Sequence, residues 1–151
     1  LKAQYPDIIP ILSPASASTD TRFGTAAHFR SRLEAICGHD VWDTIEQVEP
    51  IGPKKLLDAL IVAPATGNTL AKLACGIADT PVTLAVKAHL RNERPVILAV
   101  SSNDALAANA ESIGRLLTRR HPYFGRAAQK AALRRRRFLS APADGRGRAP
   151  R

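Results

Sequence analysis

The chain has 151 residues, 45% of them apolar, enough for one domain with a real core and ordinary for a soluble globular protein. No apolar run approaches the roughly 18–20 residues needed to cross a membrane as a helix, and residues 1–6 (LKAQYP) show neither the basic nor the apolar region of a signal peptide. The net charge of +9 is confined to one end: residues 125–151 hold eight Arg, one Lys and one Asp, while residues 1–124 carry 13 cations against 12 anions, which argues against a specific nucleic-acid surface on the folded part.

In chain order, residues 7–12 (DIIPIL) read as a β-prone run, with Pro10 removing one ladder donor and pointing to an edge or a strand end. Residues 13–21 read as a Ser/Thr/Pro/Ala loop. From Thr25, the spacing of Ala26, Phe29, Leu33 and Ile36 predicts a helix stopped by Gly38. Residues 40–48 suggest a second short helix burying Trp42 and Ile45, followed by a turn-rich stretch over 49–53. Residues 57–63 (LDALIVA) are almost continuously apolar, the pattern of a strand covered on both faces in a parallel sheet. Leu70, Leu73, Ala74 and Ile77 then form one helical stripe. A helix over 81–90 starts with proline in its first turn and ends at Arg91 and Asn92. Residues 95–100 (PVILAV) predict another buried strand, and residues 101–104 lead into a helix that runs to Leu117. Strands alternating with helices imply parallel pairing through right-handed crossovers, a doubly wound α/β layer structure with helices on both faces.

In such sheets ligands gather where strand carboxyl ends meet helix N-termini, because unpaired N–H groups and the helix dipole favour acceptor-rich groups there. Two predicted strand ends carry polar clusters: Thr66, Gly67, Asn68 and Thr69 after the first, and Ser101, Ser102, Asn103 and Asp104 after the second. Each reads equally as a ligand loop or as a helix cap. Cys37 and Cys75 lack metal-ligand spacing and read as reduced core residues of a cytosolic protein; His28, His39 and His121 show no ligand spacing either. Lys87, His89 and Arg91 suit the negative end of a helix dipole. The basic tail reads as disordered, or helical only around 127–139, with Arg134–Arg137 either a solvated run or a grip for phosphates.

The segment PATGNTLAKLACGIAD (64–79) resembles the PASANT-type stretch of the flavoprotein family that includes the FMN-dependent cysteine decarboxylases. TDTRFGTA (19–26), EPIGPKKLLDALIVAPATGNTLAKLA (49–74) and DTPVTLAVKAHLRNERPVILAVSSNDALAANAESIGRLL (79–117) are similar to the branch of that family formed by the B subunits of dipicolinate synthases, over residues 8–124. The resemblance implies a Rossmann-like fold with an FMN pocket. It implies a partner A subunit carrying an NAD(P)-binding dehydrogenase module, and oxidation of dihydrodipicolinate or its hydroxylated precursor in the cytoplasm of a spore-forming mother cell. A homo-oligomer is expected for the intact protein. Position by position, Pro64, Ala65, Thr66, Gly67, Asn68 and Thr69 match the flavin-contacting hexapeptide. Ser101, Ser102 and Asn103 fall on the decarboxylases' Pro-Ala-Met-Asn segment, with Asn103 on its Asn. Serines in place of Pro-Ala, and the absence of Met, argue against cysteine decarboxylation; a phosphopantothenoylcysteine decarboxylase-like flavoprotein is the alternative. Ser13 could approach the cofactor or cap a loop, and Arg22 could meet a substrate carboxylate or form an ordinary ion pair.

Family members begin with a strand and a Gly-rich turn that holds the flavin phosphate, and this chain, which starts at Leu1 and has no Met, begins after it. It is expected to be a fragment lacking the first strand, weak in FMN binding and inactive alone. Family members also continue after Tyr-Phe with a Val-Pro-Phe-Gly-Gln-Asp-Asp-type segment. Here Tyr123 and Phe124 are followed by the Arg-rich stretch, so the expected organisation is a partial domain over 1–124 and an unrelated, frameshift-like tail over 125–151.

Overall fold

The computed structural model describes residues 5, 7–119 and 122–124; the expectations for residues 125–151 lie outside them. The described elements run α1 (Pro14–Ser18), α2 (Ala26–Cys37), α3 (Ile45–Val48), α4 (Ile51–Lys54), β1 (Leu60–Ala65), α5 (Gly67–Ala74), α6 (Pro81–Arg91), β2 (Val96–Val100), α7 (Ala108–Leu117) and β3 (Pro122–Phe124). The strands form one parallel sheet in the order β1-β2-β3. Parallel neighbours cannot be joined by a tight turn, and here α5 and α6 make the first crossover and α7 the second. The architecture is the expected Rossmann-like α/β arrangement of a parallel sheet and packed helices.

The core joins Leu60 and Val62 of β1 and Val96 and Leu98 of β2 to Leu70 and Leu73 of α5, Ala85 and Val86 of α6 and Leu116 of α7. Each fully buried aliphatic side chain contributes about 1.5–3 kcal/mol. Thr80 caps α6 in a reciprocal pair with Thr83, with Pro81 in the first turn. The α5–α6 connection is closed by Lys72 Nζ on both Asp79 oxygens at 2.8 and 2.9 Å, and Lys72 holds the Asp79 carboxyl below its ordinary range. Asn92 Nδ2 donates to the Gly52 carbonyl at 2.8 Å and ties α4 to the end of α6. Gly38 ends α2 in the left-handed conformation, φ 73°, as its position predicted.

Several local expectations are corrected. Residues 7–12 form no strand; Ile11 makes an isolated parallel bridge with Trp42, in which Pro10, lacking an N–H, contributes only its carbonyl to Trp42 N at 2.9 Å. The loop after it contains α1, capped by Ser13 with Pro14 in its first turn. The helix expected over 40–48 is restricted to Ile45–Val48, since Trp42 is spent on the bridge; Val41 and Val48 are buried and Ile45 is not. The stretch after it holds the short helix α4. β1 alternates instead of being covered on both faces: Leu60 and Val62 are buried while Ile61 is 41% exposed. The α2 stripe is largely outside the core, with Phe29 and Ile36 exposed, and Ile77 lies exposed beyond α5. Cys37 is buried but Cys75 is exposed, and no disulfide joins them. Among the described residues no helix is long and apolar enough to cross a membrane.

His89 is 1% exposed on the inner side of α6, and its Nε2 has no hydrogen-bond partner among the described residues. Burial, reinforced by the nearby Arg94 cation, pushes its pKa below the ordinary 6.5, while a Pro95 backbone hydrogen bond and Asp58 oppose the shift. The unfolded chain therefore binds the proton more readily, so this contribution to stability is lost as pH falls below about 6.5 and is fully present above it. Thermal unfolding midpoints should drop between pH 7.5 and 5.5, and His89→Gln should flatten that dependence; equal slopes in the two proteins would contradict the assignment.

Candidate functional site

Because β1 and β2 run parallel, their carboxyl ends lie side by side. The register shifts after Val62 and resumes with Ala65 opposite Val100. The next residue of the second strand end, Ser101, donates its N–H to the Ala65 carbonyl at 3.0 Å. Pro64 and Ala65 of the hexapeptide thus belong to the strand, and Ala65 is fully buried.

Thr66 is the N-cap of α5: its Oγ1 accepts from Thr69 N at 3.4 Å and lies 3.2 Å from the Thr69 hydroxyl. Asn68 is exposed, and it is Thr66, not Asn68, that caps. The first N–H groups of a helix have no partner within it. Among the described residues those of Gly67 and Asn68, with the Asn68 side chain, are without one.

The second cluster does not cap α7, as its sequence suggested. Residues 101–107 make a bent loop, and α7 starts after Ala107, which offers no side-chain cap. Ser102 Oγ accepts from Asp104 N at 3.2 Å, and the Asp104 carbonyl accepts from Ala107 N and Asn109 N, both at 3.1 Å. Ser101 and Asn103 are exposed and Ser102 is half-buried.

Asn109, in the first turn of α7, joins the two loops. Its Nδ2 donates to Ser102 Oγ at 3.2 Å. A Cβ added to Gly67 would sit 2.4 Å from that Nδ2 and 3.1 Å from Cγ. A side chain at 67 would therefore have to push the Asn109 amide aside; Gly67 lies in the helix and needs no positive φ. Sequence reasoning missed Asn109, since a lone amide in a helix carries no motif.

Ser13 and Arg22 are held elsewhere. Ser13 Oγ accepts from Ser16 N at 3.2 Å as the cap of α1. Arg22 is exposed in the 21–24 turn, its guanidinium 4.7 Å from the centroid of the Phe23 ring. Among the described residues no hydrogen bond or ion pair links either to the two strand-end loops. Apart from Asp104 the loops contain no ionisable side chain, so they can donate hydrogen bonds to acceptor-rich groups but present no acid–base pair of their own.

The Flavoprotein family model matches residues 7–116, and the chain belongs to that family. It is 41% identical over 118 residues to the B subunit of dipicolinate synthase from Bacillus subtilis strain 168, covering 78% of this chain and 59% of that protein. The crystal structure of the dipicolinate synthase B subunit from Bacillus halodurans is 36% identical with a TM-score of 0.69, over 78% of this chain and 60% of that one. The FMN-dependent cysteine decarboxylase TvaF from thioviridamide biosynthesis is 30% identical with a TM-score of 0.52, over 69% and 68% of the two chains. The chain therefore spans about three-fifths of the length of the B subunits it resembles.

Gly67→Ala should push the Asn109 amide from Ser102 and destabilise the protein by about 1 kcal/mol, the worth of one hydrogen bond. Adding Asn109→Ala to that variant should cost little more, because both changes break the same contact. Chemical denaturation of the two single variants and the double variant measures this; strictly additive losses would refute the link.

Proposed function

We propose that this chain is the FMN-holding portion of a dipicolinate synthase B subunit. In this reading it is an oxidoreductase component that works with an NAD(P)-binding A subunit to form dipicolinic acid from dihydrodipicolinate or its hydroxylated precursor. The observation that carries the reading is the juxtaposition of two donor loops at adjacent parallel strand ends, joined at Ala65–Ser101 and bridged by Asn109 to Ser102. The likeness to B subunits over 78% of the chain supports the subunit assignment. The likeness to an FMN-dependent enzyme supports the cofactor.

The donor set fits FMN. The N–H groups of Gly67 and Asn68, the Asn68 and Asn103 amides and the hydroxyls of Thr66, Thr69, Ser101 and Ser102 suit a ligand rich in acceptor oxygens and nitrogens. FMN, when bound, supplies a two-electron carrier. This chain's residues bind and orient it: Pro64 and Ala65 set the strand end, Gly67 and Asn68 donate, and Asn109 fixes the spacing of the loops. Arg22, on the 21–24 turn, is the proposed carboxylate anchor for the substrate, and Ser13, the α1 cap, is the proposed further cofactor neighbour. The binding domain spans 1–124, with 125–151 outside it. The proposed setting is the mother-cell cytoplasm during sporulation, as a homo-oligomer.

Asn68 bears on FMN and not on the helix cap, so Asn68→Ala should change stability by no more than about 0.5 kcal/mol. Titration of FMN fluorescence should give weak but saturable quenching with the unaltered chain and an affinity at least tenfold weaker still with Asn68→Ala, the loss of one or two well-placed hydrogen bonds. Equal affinities would reduce the hexapeptide to a helix start.

A further inference from the structure

A concavity lies away from the two loops, among the C-terminal halves of α5, α6 and α7. Its volume is about 260 Å³. Leu73, Val86, Leu90 and Leu116 supply an apolar floor; among the described residues Lys87, Arg91 and Arg119 are the charged side chains that line it, and no Asp or Glu does. Lys87 and Arg91 stand one turn apart on α6, both exposed, and neither has an ion-pair partner among the described residues. Arg119 is fixed by its Nη2 donating to the Ala74 carbonyl at 3.1 Å.

The helix dipole accounts for a cation in the last turn of α6, where Arg91 sits, but not for Lys87 one turn earlier. Two like charges at i,i+4 repel each other, and α6 offers no acid to offset them. A compact apolar floor beside Lys87, a cation that neither the dipole nor an acid on α6 accounts for, with Arg91 one turn away, complements one class of occupant. We propose that this cavity binds a small amphipathic anion, a carboxylate or phosphate ester whose apolar body rests on Leu73, Val86, Leu90 and Leu116 while its head meets Lys87 and Arg91. The volume suits a body of one or two rings and is too small for a folded segment, and the chain's own residues 125–151, with eight Arg, carry the wrong charge. This site is independent of the FMN reading, because none of the strand-end loop residues lines it.

The test is an amide NMR titration of the full chain with 1-naphthoate and, in parallel, the neutral 1-naphthamide. Saturable shifts at Gly76, Val86 and Leu90 are expected, with naphthamide at least tenfold weaker. Lys87→Gln and Arg91→Gln, both at exposed positions, should bring naphthoate down to the naphthamide level while leaving naphthamide binding unchanged. Equal affinity for the two compounds, or shifts confined to the loops at 66–69 and 101–104, would overturn the proposal. So would concentration-dependent shifts of the same amides without ligand, the mark of a second copy seated in the groove.

Discussion

The parallel pairing of β1 with β2 is the constraint on which the rest depends. It brings Ala65 and Ser101 into hydrogen-bond contact at 3.0 Å and so places two loops, distant in sequence, at the same end of the sheet. Antiparallel pairing would have sent them to opposite ends. The pairing is itself enforced from below: Leu60, Val62, Val96 and Leu98 share one buried face, and slipping the register by one residue would turn that apolar set to the outside. The crossover helices supply the surfaces that make the face worth burying. Core packing thus determines where donors can converge, and at the first loop they are left unpaired because α5 begins there.

The spacing of the loops is set by one small contact. The Asn109 amide fills the space that a side chain at Gly67 would take, and it donates there to Ser102. Gly67, which the resemblance places against the flavin, is thus also crowded within the molecule, by a side chain of α7. The consequence for function is similar: the α5 N-terminus is brought close to the second loop, and the exposed side of Gly67 and Asn68 faces outward.

Much of this was legible in the sequence wherever one strong local signal acted alone. The apolar runs around Leu60 and Val96 marked β1 and β2, Thr80 with Pro81 marked the start of α6, and Gly38 marked the end of α2. The strand-end clusters were legible as places, because a β–α junction can be read from an apolar run followed by turn formers. What failed was decided by tertiary contacts. Trp42 carries helical spacing with its neighbours but is extended, since pairing with Ile11 outweighs the weak propensity of a short segment. Phe29 and Ile36 have the period of a buried stripe, yet the period reports only that one face is apolar and not what covers it. Ser101–Asp104 resembles a cap, but the chain continues through a further turn before α7 begins. Lys87, His89 and Arg91 are alike in the sequence as cations near a helix end; α6 turns His89 inward and the two cations outward.

The central claim is that both strand-end loops form one flavin-contacting surface. Its most direct test is the map of backbone amide shifts when FMN is added to the isotopically labelled chain. The account predicts concerted, saturable shifts at Gly67, Asn68, Ser102 and Asn103 with a single common dissociation constant. Shifts at only one of the two loops, or at neither while FMN binds elsewhere, would contradict it.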